Sequence, residues 1–396
     1  MGFTNILQGV SSAVMLIALP QLLAADGVPE PSIASIVAIG LIPSFAAFLL
    51  APLLDWRFSR RSYAVAFALL AALFQFAALL SLHNLPWLAA LSFLSFMAVM
   101  LYFAAIGGWL AGLTQAEDQN RLGAWLTVWN VSGGGAAAAI AVPLLREVPI
   151  AVGAGMLSLL LLIPLPLFAW LPSVPADRRL ASESFRDFIR AVLGLLSKPG
   201  VRWTLLLFAL PAASFSLTNT LSGLGEDFGA TERTVSLIGG AGTALAGVIG
   251  GLLVPPAIKR VSPQRLYLLI GSLGGVFTLC LIVLPRAPAS FALAMLGENA
   301  FQAAAFAVEN AIILHGIGKG NPLAATEFAL LNAASSLPIT YMQFVDGQAY
   351  GLGGLHGIGG LDSAYLTDAL LSLAACGGLT LLLGRRALRR RAQAAA

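Results

Sequence analysis

Twelve stretches of about 20 mostly apolar residues, the length a helix needs to cross a bilayer, follow one another along this chain. They lie at approximately 3–24, 32–54, 62–82, 86–112, 122–143, 150–171, 203–224, 234–256, 266–284, 289–313, 323–348 and 363–384. In lipid a backbone must satisfy its own hydrogen bonds, so runs of this kind are helices. The expected fold class is an all-α integral membrane protein with 12 transmembrane helices in two six-helix halves. Only 10% of the residues are charged, against roughly 25% in soluble domains. That excludes a soluble or disordered chain, a disulfide scaffold and a nucleic-acid-binding domain. The first run has no basic segment before it and no small-residue cleavage signal, so a retained helix is expected. Cys280 and Cys376 fall inside apolar runs and are expected to be buried free thiols.

Charge sets the expected orientation. Of the 22 Lys and Arg, only Arg146, Arg233 and Arg286 fall in one alternate set of loops. The positive-inside rule then puts both termini in the cytoplasm, and the expected location is the inner (plasma) membrane. In the longest inside loop, Phe185, Phe188, Ile189, Val192 and Leu196 recur at helical spacing, with Arg186, Asp187 and Arg190 elsewhere. This predicts an amphipathic helix on the inner leaflet. The expected organisation is an N-terminal six-helix bundle over 1–172, a cytoplasmic linker over 173–202, a C-terminal six-helix bundle over 203–384 and a basic cytoplasmic tail over 385–396. A weak internal repeat supports two halves: Pro52, Arg61 and Tyr63 match Pro256, Arg265 and Tyr267 at a constant offset of 204.

The best-defined polar feature lies in the tenth run. Glu298, Gln302 and Glu309 fall within ~40° on one helical face. Glu298 is expected near mid-membrane and Glu309 near the inner interface. A carboxylate in hydrocarbon is costly, so the face should point at a cavity or the bundle interior. No Lys or Arg sits deep in any run to pair with Glu298, which suits it to binding and releasing a proton, or else to bonding a neighbouring helix. The eleventh run carries Pro338 mid-span, an expected kink. Asp346 and Glu327 are expected near its ends, within reach of water. Asn5, Gln8, Trp129, Asn130, Asn219 and Gln343 complete the candidate cavity residues, with amides and rings for a polar solute or for helix contacts. Ser132-Gly-Gly-Gly135 is expected to allow close helix packing.

Other chemistries lack their residues. No phosphate-binding Gly-Lys-Ser/Thr loop is present, and His83, His315 and His356 have no metal-ligand spacing. No cofactor, no metal site and no catalytic set is expected, and the chain is not expected to be an enzyme.

The whole-chain pattern resembles the major facilitator superfamily. Its signature loop, Gly-x-x-x-Asp-Arg/Lys-x-Gly-Arg-Arg/Lys, is degenerate here: Ala51 replaces Gly, Asp55 is kept, Phe58-Ser59 replace the Gly region, and Arg60-Arg61 are kept. Gln8-Gly-Val, Ala51-Pro-Leu-Leu-Asp55, Val131-Ser-Gly-Gly134 and Ala325-Thr-Glu-Phe-Ala-Leu-Leu-Asn-Ala-Ala-Ser-Ser336 look like the muropeptide permease and acetyl-CoA transporter branch. Trp129-Asn130 stand where muropeptide permeases tend to carry an Arg, and the compact chain looks more like the branch's siderophore importers.

The resemblance implies proton-driven uptake across a bacterial inner membrane by alternating access. The expected partners are a small solute, protons as coupling ion and the lipid bilayer, with the protein a monomer. A siderophore is favoured as cargo. A muropeptide or acetyl-CoA permease, an efflux pump, and a non-transporting membrane enzyme or sensor subunit remain alternatives. Asp55, Arg60, Arg61, Lys259, Arg260 and Arg265 are expected to control conformational switching.

Overall fold

The apolar runs fold as helices. The computed structural model describes residues 1–172, 185–357 and 359–395, so linker residues 173–184 lie outside the described residues. The helices are α1 (Gly2–Ala25), α2 (Ser32–Leu49), α3 (Arg60–Leu80), α4 (Leu85–Leu113), α5 (Glu117–Glu147) and α6 (Ile150–Ala169). Then come α7 (Phe185–Leu195) and α8 (Pro199–Ala209). They are followed by α9 (Arg233–Ile258), α10 (Pro263–Ile282), α11 (Pro288–Ile317), α12 (Ala324–His356) and α13 (Gly360–Ala395).

Among the described residues, 10 helices are long and apolar enough to span a membrane, or 11 if the bent pair Ile189–Leu195 and Pro199–Ala209 is one span. Two of the twelve expected runs fall outside that set. In the seventh run the helix stops at Ala209, because Pro211 disfavours helical backbone at the residue before it and offers no amide hydrogen. Phe215 then adopts a left-handed φ of 46°, and the chain continues as the short 3-10 turns Ser216–Asn219 and Leu221–Phe228. The eleventh run forms α12, 33 residues long and so about 50 Å. Its polar residues, among them Glu327, Asn332 and Asp346, keep it out of the apolar set. The helix runs on through Pro338.

Two compact units form. The first comprises Met1–Arg202 with Ile313–Ala333, and the second Trp203–Ile312 with Ala334–Ala396. In the first, small residues set the helix spacing. A Cβ on Gly9 of α1 would lie 1.9 Å from the Asn130 carbonyl oxygen of α5, and one on Gly133 would meet Ile6 at 2.6 Å. The glycines of Ser132–Gly135 thus admit α1 at backbone contact, as their composition suggests. Ala64, Ala68 and Ala71 are fully buried along α3. Within this unit Leu195 and Val192 of α7 pack with Leu323 and Trp56, while Ile189 and Leu193 stay exposed.

In the second unit Gly271 of α10 meets the backbone of Ala212, and Gly250 of α9 meets that of Ala300. Leu217, Leu221, Phe228, Phe291 and Tyr365 form a shared core. Leu69 and Leu73 of the first unit and Leu245, Leu253 and Leu381 of the second are exposed, as lipid-facing side chains should be. Cys280 lies on such a surface. This corrects the expectation that it is buried, since an apolar run contains both lipid-facing and bundle-facing positions. Cys376 is buried, and its thiol donates to the Ala212 carbonyl at 3.1 Å. The helix α13 carries on through the basic segment to Ala395.

Candidate functional site

Two polar clusters stand out, one in each unit. In the first unit, Asp55 ends a 3-10 turn, Ala51–Asp55, that positions its carboxylate at the start of α12. There the amides of the first helical turn have no intrahelical partner and attract an anion. Asp55 Oδ2 accepts from the Thr326 amide at 2.8 Å and from the Thr326 hydroxyl at 2.7 Å. Its Oδ1 accepts from the Ala325 amide at 3.2 Å and from Arg60 Nε at 2.8 Å. Arg60, itself buried, donates onward to the carbonyls of Asn321 and Pro322 at 3.1 and 2.9 Å. One carboxylate and one guanidinium thereby clamp residues 321–326.

Glu327 follows directly. It is buried and accepts from Asn321 Nδ2 at 2.8 Å and from Lys198 at 3.3 Å. The expectation that it reaches water is corrected: the α12 start is packed under α7 and the α2–α3 turn, not left at an open interface. Arg61 is half-buried, and Lys259, Arg260 and Arg265 are exposed. Among the described residues these four join no comparable cluster.

The second cluster is built around the interruption after α8. The unwound backbone presents Ser216, whose Oγ lies 2.5 Å from Asp346 Oδ2 of α12 and 3.1 Å from Asp368 Oδ1 of α13. All three residues are buried. Glu298 of α11 is 0% exposed, and its Oε1 pairs with the Thr278 hydroxyl of α10 at 2.6 Å. It lies within electrostatic range of both Asp368 and Asp346. Glu298 Oε2, Asp346 Oδ1 and the Tyr365 hydroxyl are buried without a hydrogen-bond partner. Among the described residues no Lys or Arg forms an ion pair with these carboxyl groups.

The polar stripe of α11 points into the second unit, as its spacing predicts. Gln302 Nε2 donates to the Thr218 hydroxyl at 2.8 Å and to the Phe215 carbonyl at 3.3 Å, bracing the unwound segment. Glu309, also buried, is hydrogen-bonded by Tyr267 and Ser335. It sits eight positions before the last residue of α11, Ile317.

The remaining candidates are dispersed. Asn5 is buried and donates to the Leu126 carbonyl at 3.0 Å, joining α1 to α5. Trp129 meets Phe3 edge-on with centroids 4.7 Å apart. Gln8 and Asn130 are half-buried, while Asn219 and Gln343 are exposed. Sequence reasoning missed Asp368, saw in Ser216 only a weak hydrogen-bond acceptor among the hydroxyls of the seventh run, and placed Asp346 near a helix end. Asp346 lies ten positions before the last residue of α12, His356, and is enclosed. A lone acid, the sixth residue of the last apolar run, was the available signal for Asp368.

A model of the Major Facilitator Superfamily matches residues 1–340. No curated protein sequence matches. Among solved structures, the human organic anion transporter MFSD10 (TETRAN) is similar with a TM-score of 0.73 and 16% identity, over 96% of this chain and 97% of that one. The proton:xylose symporter XylE gives 0.70 and 14% over 95% and 92% of the two chains. The E. coli fucose:proton symporter FucP gives 0.70 and 13% over 96% and 97%. A bacterial homologue of the iron transporter ferroportin gives 0.67 and 16%, again over 96% and 97%. These likenesses are of fold. Together with the family match over most of the chain, they identify the protein as a multi-pass membrane transporter of the major facilitator superfamily, a family of secondary transporters and not of enzymes.

Proposed function

We propose that this transporter couples the uptake of a compact, weakly charged solute to proton entry across a bacterial inner membrane, with both termini in the cytoplasm. The observation that carries the proton coupling is Glu298, fully buried, with Oε2 unpaired and no cation beside it among the described residues. An ionised carboxylate so placed lacks the compensation that burial demands, whereas a protonated one needs none. Loading and unloading a proton there gives the two access states different energies, which is what coupling requires. Two proteins of similar fold, XylE and FucP, are proton symporters. The Lys and Arg bias supports the orientation.

The apolar runs carry amides, aromatic rings and acids but no Arg or Lys deep in any of them. A strongly anionic solute there would be buried without a countercharge, at a cost of several kcal/mol. Amides and rings suit a neutral or chelate-like solute, so a siderophore or its metal complex is favoured over acetyl-CoA or a muropeptide. The clamp of Asp55 and Arg60 on residues 321–326 serves switching: alternating access needs contacts that hold one state and release in the other.

Reconstituted vesicles with an imposed pH gradient test the cargo. Siderophore accumulation abolished by a protonophore is the expected result. Saturable acetyl-CoA or muropeptide uptake untouched by any siderophore would refute the cargo assignment, and gradient-driven export would refute the direction.

A further inference from the structure

Ser216 lies between two buried carboxyl groups in the second unit, apart from the Glu298–Thr278 pair. The hydroxyl carries one hydrogen and faces two carboxyl oxygens, Asp346 Oδ2 at 2.5 Å and Asp368 Oδ1 at 3.1 Å. It can donate to only one of them. With both acids ionised, the other contact would set a hydroxyl lone pair against a carboxylate anion inside a buried site. A second hydrogen makes both contacts hydrogen bonds: one acid is a neutral COOH that donates to Ser216 Oγ, and Ser216 donates to the other.

We propose that Asp346, Ser216 and Asp368 form a proton-binding site that holds one proton shared between the two carboxyl groups across the serine hydroxyl. In one arrangement Asp368 is the acid and donates to Oγ, while the serine hydrogen points to Asp346. In the other, the Asp368 hydrogen has moved to Oγ as the serine hydrogen moved to Asp346. Each arrangement contains one carboxyl hydrogen and one hydroxyl hydrogen, so the shift conserves charge and atoms. Ser216 is a relay, and the acids are the binding groups.

The surroundings fit a site that takes up and passes on a proton. Glu298 of α11 faces Asp368 and Asp346. Tyr365 of α13, 0% exposed, lies within electrostatic range of Glu298, Arg286, Asp362 and Asp227. Arg286 is committed to Asp362, and no cation neutralises the three inner acids among the described residues. Asp346 Oδ1, Glu298 Oε2 and the Tyr365 hydroxyl have no partner, although buried polar atoms are nearly always paired. Each has capacity for a further hydrogen bond. The backbone supports the geometry: an unwound stretch at Leu210–Phe215, with Phe215 in the left-handed region, is what lets a hydroxyl stand between two helices. Interrupted helices form ion sites in other transporters.

The proposal rests on proton coupling for its purpose but not for its test. Purified full-length protein is titrated while the infrared carbonyl band of protonated carboxylic acids is recorded by difference between variants, with folding checked by size-exclusion profile. A shared proton requires Asp346→Asn and Asp368→Asn each to remove the same single acid from the neutral-pH spectrum, since either leaves an acid with no anionic neighbour across Ser216. Ser216→Ala should split or shift the band, and Ser216→Thr should restore it. Loss in only one Asn variant, or in neither, overturns the shared site. So does a band that sodium chloride abolishes at constant pH, which would make the ligand a sodium ion. Wild-type vesicles that show no proton-driven uptake would refute the proposed function while leaving this result standing.

Discussion

Asp55 occupies the open end of the helix that begins at Ala324, and Thr326 answers it twice, through its amide at 2.8 Å and its hydroxyl at 2.7 Å. The same carboxylate neutralises the buried Arg60. Removing it therefore strips the helix start and takes the carboxylate away from a buried guanidinium. Breaking a buried pair in this way costs about 3–5 kcal/mol.

Asp55→Ala is accordingly expected to lower the thermal midpoint in detergent and to slow transport at least tenfold, with equilibrium solute binding changed much less. Comparing initial uptake rates with binding isotherms checks this. Lost binding with normal exchange kinetics would contradict a switching role.

Lys198 offers a contrast within the same unit. Its side chain is 52% exposed where it meets Glu327, and partly exposed pairs contribute no more than about 1 kcal/mol. Lys198→Met should therefore shift the thermal midpoint only slightly, and far less than Asp55→Ala. Equal shifts would mean that Asp55 contributes no more than an ordinary surface charge.

Gly9 tests the packing of α1 on α5. A Cβ there would overlap the Asn130 carbonyl at 1.9 Å, and backbone cannot move aside as a flexible side chain does. Gly9→Ala is expected to destabilise by about 1–3 kcal/mol, the usual cost of overpacking. Gly200→Ala, with nothing within 4 Å, is the matched control and should be nearly silent.

The spans were legible because an apolar run of fixed length has one solution in lipid. The α11 stripe was legible because Glu298, Gln302 and Glu309 keep helical spacing within one element. Asp55 and Arg60 could be singled out from a charged loop between apolar runs, although their partners, residues 321–326, lie more than 260 positions away. The Ser216 site was not legible for the same reason of distance: its three members come from segments 130 and 152 residues apart. Asp346 looked like an end residue because the apolar run fades near residue 348, whereas the backbone stays helical to His356. Glycine-rich, polar stretches hide a helix from hydropathy without preventing it.

The claim that Glu298 carries the coupling proton is tested most directly in vesicles that separate accumulation from exchange. Glu298→Gln keeps the shape and the Thr278 contact but cannot release a proton. The variant should retain solute exchange at equal concentrations on both sides while losing accumulation driven by a pH gradient. Accumulation that survives in Glu298→Gln, with its pH dependence unchanged, would contradict the account.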